Sequence, residues 1–336
     1  MQNNNSEKIQ FLAVGDVVTE PFIKLKDAHV TCQLDHENCT LSMRYGDKIP
    51  YESVTLCRAV GNSANAAVAA ARLGLKSGLM AYIGDDEVGK GNIEELKKNN
   101  VIVDHMVTVP GYESNYHFVL WYEVDRTILI KHTEFPYEFP MNLPEPEWIY
   151  FSSIADNALP YHLQMTEYLK QHPNVKLAFQ PGTFQIKLGA KVLAELYQHT
   201  EILFCNKEEA QRILETPDEH DMVVLIKNLH ELGPKKVVIT DGAKGLDASD
   251  GVNVYTLSEY PDIAPPVERT GAGDATSSTI VAMMATGMSF KEALRYGPVN
   301  SMSVVQHVGA QAGLLNREKL EEYLKQAPED YTVVKL

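Results

Sequence analysis

Positive charge is the first shortage. Against 45 Asp and Glu the chain carries 30 Lys and Arg, a formal net charge of -15 over 336 residues. A surface of that sign repels nucleic acid and anionic membranes, which sets both aside as partners. A bound nucleotide survives this test, because a local nest of backbone amides can hold phosphate on an acidic protein. Cysteine is scarce as well, and four in a chain of this length give no disulfide framework. Cys32, His36 and Cys39 lie close together, yet their spacing fits no standard zinc pattern and no second Cys/His pair follows, so a metal there is the minor reading. Long apolar runs are missing: the stretch from Ala64 to Ile83 is broken by Arg72, Gly74, Lys76 and Gly78, which excludes a membrane span. The opening "MQNNNSEKIQ" is polar and lacks the apolar segment of a signal peptide. These absences predict a reduced, cytoplasmic enzyme that acts on small molecules.

What is present is alternation. "IQFLAVGD", "KSGLMAYIGDD", "EWIYFSSI", "VKLAFQPG", "EILFCNKEEA" and "KKVVITDGAKG" are short β-rich runs that end in polar or glycine residues, and helical patterns lie between most of them. Such order predicts a parallel sheet with helices on both faces and ligands at the carboxyl ends of the strands. Two segments, about 22–56 and 108–132, instead alternate apolar and polar residues without a helix. Period two of this kind predicts antiparallel strands with one wet face, a small second sheet over the core. A dinucleotide-binding dehydrogenase is disfavoured, since "VGDVVTEP" follows the first strand where a G-x-G-x-x-G would be required.

The richest stretch is "VERTGAGDATSSTIVAMMATG", Val267 to Gly287. Small residues let the main chain approach a ligand, and consecutive amides before a helix form an anion nest backed by the positive helix end. Phosphate suits this place. Asp274 then stands at the start of a helix expected from about Ala275, where it is either a working carboxylate or a plain N-cap. Asn206 and Glu209 in "CNKEEA" lie one helical turn apart, so both side chains can face one site. Thr240 and the turn Gly242 to Gly245 close another strand in a manner suited to phosphate or ribose.

Taken in order, these segments resemble the ribokinase or PfkB-type carbohydrate kinase family from about Phe11 to Leu324. The string around Asp274 is similar to that family's C-terminal signature. "VGNSANAAVAAARLG" resembles its Gly-Gly-x-x-x-Asn segment, "CNKEEA" its Asn-x-x-Glu, and "VNSMSVVQHVGAQAG" the segment closing over adenine. The resemblance implies one ribokinase-like domain over 1–336, a three-layer α/β sandwich with a mainly parallel central sheet and a small β-sheet lid that often pairs two subunits. It implies transfer of the γ-phosphoryl group of ATP to a free hydroxyl of a small sugar-type substrate. Asp274 would be general base, with the amides of Gly271, Ala272 and Gly273 as anion hole. Asn206 and Glu209 would organise Mg²⁺ through waters. Thr240, Gly242, Gly245 and Thr270 would meet the nucleotide, with Asn300, Val308 and Gly309 near adenine. Gly61, Asn62, Asn65 and Glu20, with Asp16 as a nearby alternative, would meet the acceptor. A nucleoside kinase of the same family is the alternative, with Tyr116, Phe118, Trp121 and Tyr122 available to stack a base. A catalytically inactive ligand-sensing relative is less favoured, because Asp274, Asn206 and Glu209 are intact.

The departures concern substrate and cation. Val60 stands where the family has the first of its paired glycines, Glu20 where an Asp is common, and Gln180 where an Asp is frequent. Glu268-Arg269-Thr270 replaces Asp-Thr-Thr, whose aspartate commonly helps to hold K⁺, so weak or absent K⁺ activation is expected. Arg269 either points at a phosphate or an anionic substrate group or pairs with an acid at the surface. Arg126, in the family's Arg-Thr position, is expected to support the lid hairpin.

Overall fold

The computed structural model describes residues 8–32, 39–123 and 125–336; His36 lies outside the described residues. A nine-stranded sheet runs in the order 334–335, 254–257, 246–249, 237–240, 200–206, 176–179, 148–151, 11–14, 77–80. The strands from Val237–Thr240 to Ser77–Met80 are parallel, with Phe11 opposite both Trp148 and Ser77. The three strands at the other edge are antiparallel.

Strands such as FLAV and WIYF are apolar at every position because both faces are covered. Phe11, Ala13, Trp148 and Tyr150 point to a core shared with the helices Asn62–Arg72, Ala272–Ala285, Tyr296–Val304 and Arg317–Lys325. Leu12, Val14, Ile149 and Phe151 point the other way, to Leu159–Gln171, Lys207–Leu214 and Met222–Glu231. Period two along each strand thus builds a three-layer sandwich. Each large side chain buried in it contributes about 1.5–3 kcal/mol. Parallel strands bring Asp16, Gln180, Asn206 and Thr240, each at or just beyond a strand's carboxyl end, to one edge of the sheet.

The second sheet has four strands in the order 125–129, 118–122, 18–25, 51–60. It reaches further at both ends than 22–56 and draws only 118–129 from the second segment. Val107–Val109 pairs instead with Tyr82–Gly84. One pairing is parallel, Phe22 with Val119, because helices intervene and the chain returns in the same direction. Cysteine supplies a correction. Cys32 and Cys39 form a disulfide, because the hairpin that pairs Thr31 with Thr40 brings these flanking residues opposite each other. No helix among the described residues is long and apolar enough to cross a membrane.

Candidate active site

Glycine 271 adopts φ 82 and caps the helix Ala272–Ala285, which starts three residues earlier than expected. A Cβ on Gly271 would lie 2.3 Å from the Ala310 Cβ, so only glycine lets this turn pack against that loop. Among the described residues no carbonyl accepts from the amides of Gly271 or Gly273, whereas Ala272 reaches the Arg269 carbonyl at 3.4 Å. A Cβ at Gly273 would meet nothing.

Asp274 is not the cap. Its carboxylate is 7% exposed and accepts three hydrogen bonds from primary amides: Asn62 at 2.7 Å, Asn65 at 2.8 Å and Gln180 at 3.1 Å. Burial pushes its pKa above the usual carboxylate range; the three amides pull it down, and the Glu20 charge adds to the rise. The cavity of about 340 Å³ in front of Asp274 is lined by Glu20, Gly61, Asn62, Asn65, Gln180, Asn206, Glu209, Thr240 and the 269–273 turn. Arg126 and Ile128 of the small sheet complete its wall. Arg269 brings a cation beside the turn, and the Thr270 hydroxyl is buried without a partner among the described residues.

A second cavity of about 110 Å³ adjoins the first, since Thr240 and Gly273 line both. Gly242, Gly245, Thr276, Pro298 and Ser301 surround it. Gly245 has φ 92, and a Cβ there would strike the Leu257 carbonyl at 2.1 Å. Asn206 and Glu209 form a reciprocal capping box, each side chain accepting from the other's amide at 2.8 Å. Burial raises the Glu209 pKa. Among the described residues no three His, Cys, Asp or Glu side chains converge as a metal site. Asn206 and Glu209 put oxygen donors on the wall of the main cavity, and oxygen is the ligand type that Mg²⁺ takes.

Several expected residues lie elsewhere. Asn300 is fully buried and satisfied by Thr279 and the Leu315 amide, and it lines neither cavity. Gly309 and Val308 border a separate cavity behind the turn, where Gly309 packs on Cys57. Asp16 is turned away from the main cavity, accepting from the Tyr137 hydroxyl at 2.7 Å and pairing with His132 at 3.1 Å. Glu20 pairs with His117 at 3.2 Å. Val60 ends a strand with ordinary φ, while its neighbours Ala59 and Gly61 carry the positive values, φ 53 and 107. Glu268 is buried and accepts from the amides of Thr270 at 2.7 Å and Gly309 at 2.9 Å, tying the turn to the 305–310 loop. Burial pushes Cys57 up to about 12 and Cys205 well above its ordinary value.

The sequence reading gave no role to Tyr150, Ser277, Gln311 or His117, all of which stand within one or two hydrogen bonds of Asp274 or Glu20. Nothing in local spacing marks them, because their partners are far away in the chain.

Residues 28–317 match the family described as pfkB family carbohydrate kinase. The chain belongs to that family. It is a kinase of the carbohydrate-kinase class with ATP as phosphoryl donor, and the dehydrogenase alternative falls. The chain is 27% identical over 274 residues to the ribokinase of Bacillus subtilis, covering 79% of this chain and 87% of that one. The Arabidopsis thaliana ribokinase complexed with ribose and ATP superposes with a TM-score of 0.78 at 20% identity, covering 95% of this chain and 99% of that one. The nucleoside kinase of Methanocaldococcus jannaschii gives 0.74 at 18% identity, with coverage of 95% and 99%. These two likenesses carry the ribokinase-like fold.

Proposed function

We propose that this pfkB-family kinase phosphorylates a hydroxyl of a small polyhydroxylated, sugar-type substrate, with Asp274 as general base. The observation that carries the reading is Asp274 itself. It is a buried carboxylate at the head of a glycine turn with unused amides, on the wall of a polar cavity. The acceptor hydroxyl lies against the carboxylate and gives up its proton as its oxygen attacks the γ-phosphorus. The bond from that phosphorus to the β,γ-bridging oxygen breaks, and ADP leaves. Burial makes Asp274 a better base than a solvated aspartate, while its three amide donors pull the other way and aim the carboxylate.

The amides of Gly271 and Gly273 and the helix end receive charge on the transferring group, with the Ala272 amide contributing least because it already leans on Arg269. The Thr270 hydroxyl and Arg269 suit phosphate oxygens. Thr240, Gly242 and Gly245 suit the nucleotide in the smaller cavity. Mg²⁺, when bound, supplies neutralising charge at the phosphates, and Glu209 with Asn206 would order its waters. Glu20, Asn62 and Asn65 suit the acceptor's other hydroxyls.

A sugar is favoured over a nucleoside because Tyr116, Phe118, Trp121 and Tyr122 do not line the main cavity. Tyr116 instead packs on Phe118, and Lys24 lies over Trp121. Exposed Val54, Leu56, Phe118 and Leu129 give the small sheet an apolar surface suited to a second subunit, which sedimentation at two concentrations checks. Use of ATP puts the enzyme in the cytoplasm on this reading.

The decisive experiment is an ADP-release screen over pentoses, hexoses, sugar phosphates and nucleosides, with Asp274→Asn as control. The variant should lose about 10²–10⁴-fold in kcat while still binding ATP. Full turnover in Asp274→Asn would sink the mechanism, and turnover on nucleosides alone would replace the sugar.

A further inference from the structure

Among the described residues every hydrogen bond to the Asp274 carboxylate comes from a primary amide. A primary amide is nearly symmetric in shape and opposite in polarity at its two ends, so a half-turn about its last bond would present oxygen to the carboxylate instead of N–H. Something must select the orientation. For one of the three amides the selecting groups are in place.

On one side the choice starts from a backbone carbonyl. The Ala59 oxygen can only accept, and Gln311 lies against it at 2.7 Å, so the NH₂ end of Gln311 must face it. The same NH₂ donates at 3.0 Å to Asn65 Oδ1. Asn65 is thereby obliged to turn its own NH₂ to Asp274. Gln311 is buried, and its backbone carbonyl is held by Arg72 at 2.7 Å, so its register is set independently of the base. On the other side the Gln180 oxygen faces two hydroxyls, those of Tyr150 and, at 3.2 Å, Ser277, while its NH₂ faces Asp274. Those hydroxyls stand 2.7 Å apart, and each can donate or accept, so they leave the Gln180 orientation open. The third amide, Asn62, has no such anchor on its oxygen among the described residues, and it lines the cavity.

We propose that Gln311 is a positioning residue that locks the Asn65 amide with N–H toward Asp274, favouring the ionised carboxylate and aiming it, while Asn62 stays free to exchange the base for the acceptor. This rests on the reading of Asp274 as general base. Gln311 does not touch the reacting atoms. Its effect is to forbid the amide flip that would place oxygen against oxygen.

The test is a titration that needs no acceptor. The enzyme is labelled with ¹³Cγ-aspartate, and the Asp274 carboxyl signal is assigned by its absence in Asp274→Asn. Gln311→Leu removes the anchor, and Gln311→Met removes it while keeping closer length and shape. In each, the Asp274 midpoint should rise by about one pH unit, a tenfold change in the protonation constant. The acid limb of kcat/KM should move upward with it for the acceptor that gives the most ADP release, at unchanged KM for ATP. Should Gln311→Leu fail to fold, Gln311→Met decides alone. Midpoints at the wild-type pH in the folded variants would overturn the proposal, even with activity reduced, because a merely structural role lowers turnover without moving the titration. The base reading fails separately, through an Asp274→Asn enzyme that still turns over.

Discussion

Two glycines separated by one residue should differ in how the same substitution changes stability, while both lose turnover. In Gly271→Ala the new methyl must adopt φ 82, which costs about 1–2 kcal/mol for an L-residue. It must also sit 2.3 Å from the Ala310 Cβ, where carbon atoms ordinarily approach to about 3.5–4.0 Å. The turn or the 310 loop must therefore yield by more than an ångström, an overpacking cost of about 1–3 kcal/mol. The sum is about 2–5 kcal/mol, or roughly 3–7 °C in Tm for a chain of 336 residues. A displacement of about 1 Å at the amides is also enough to reduce turnover about 10²-fold. Gly273→Ala meets no protein atom within 4 Å and lies inside the helix at ordinary φ. Helix propensity there favours alanine by about 0.5–1 kcal/mol, so Tm should hold or rise slightly. If the transferring phosphoryl group passes over Gly273, the methyl obstructs it, and kcat/KM should fall by about 10²-fold or more. Differential scanning calorimetry and ADP release on the two variants read both effects. Wild-type turnover in Gly273→Ala would refute the anion-hole reading. Wild-type Tm in Gly271→Ala would refute the packing argument.

Glu268→Ala removes the acceptor of two buried amides, and with the carboxylate's desolvation set against the loss it should destabilise by about 2–4 kcal/mol in urea unfolding; stability equal to wild type would show that the loop is held otherwise. Because that carboxylate is committed to Thr270 and Gly309, exchanging choline for K⁺ at fixed ionic strength should leave kcat roughly unchanged, and a large gain would show this wrong. Glu20→Gln deletes a negative neighbour whose charge raises the Asp274 pKa, so the acid limb of kcat/KM should move to lower pH. Activity is lost as pH falls through the Asp274 pKa, so the variant should retain more of it on the acid side. A limb that stays or moves up would remove Glu20 from the base's surroundings.

Residue pattern alone was enough to read the layered α/β fold, because strands covered on both faces must be apolar throughout and the helices between them must alternate sides. It also singled out the glycine turn with Asp274 and the Asn206/Glu209 pair, which line one cavity, since each is a local device whose spacing lies within a few residues. Local spacing could not tell whether Asp274 caps its helix or turns its carboxylate elsewhere. The donors it meets, Asn62 and Asn65 from one helix and Gln180 from just beyond a strand, come from 94 to 212 residues away. Nor could it show that Asn300 is a satisfied core residue, that Asp16 turns to His132, or that Cys32 meets Cys39 across a hairpin. The reason is physical. Backbone conformation and burial are set by neighbours in the chain, whereas the polarity that a buried carboxylate feels is set by whichever donors the closed sheet brings within 3 Å, and those come from anywhere in the sequence.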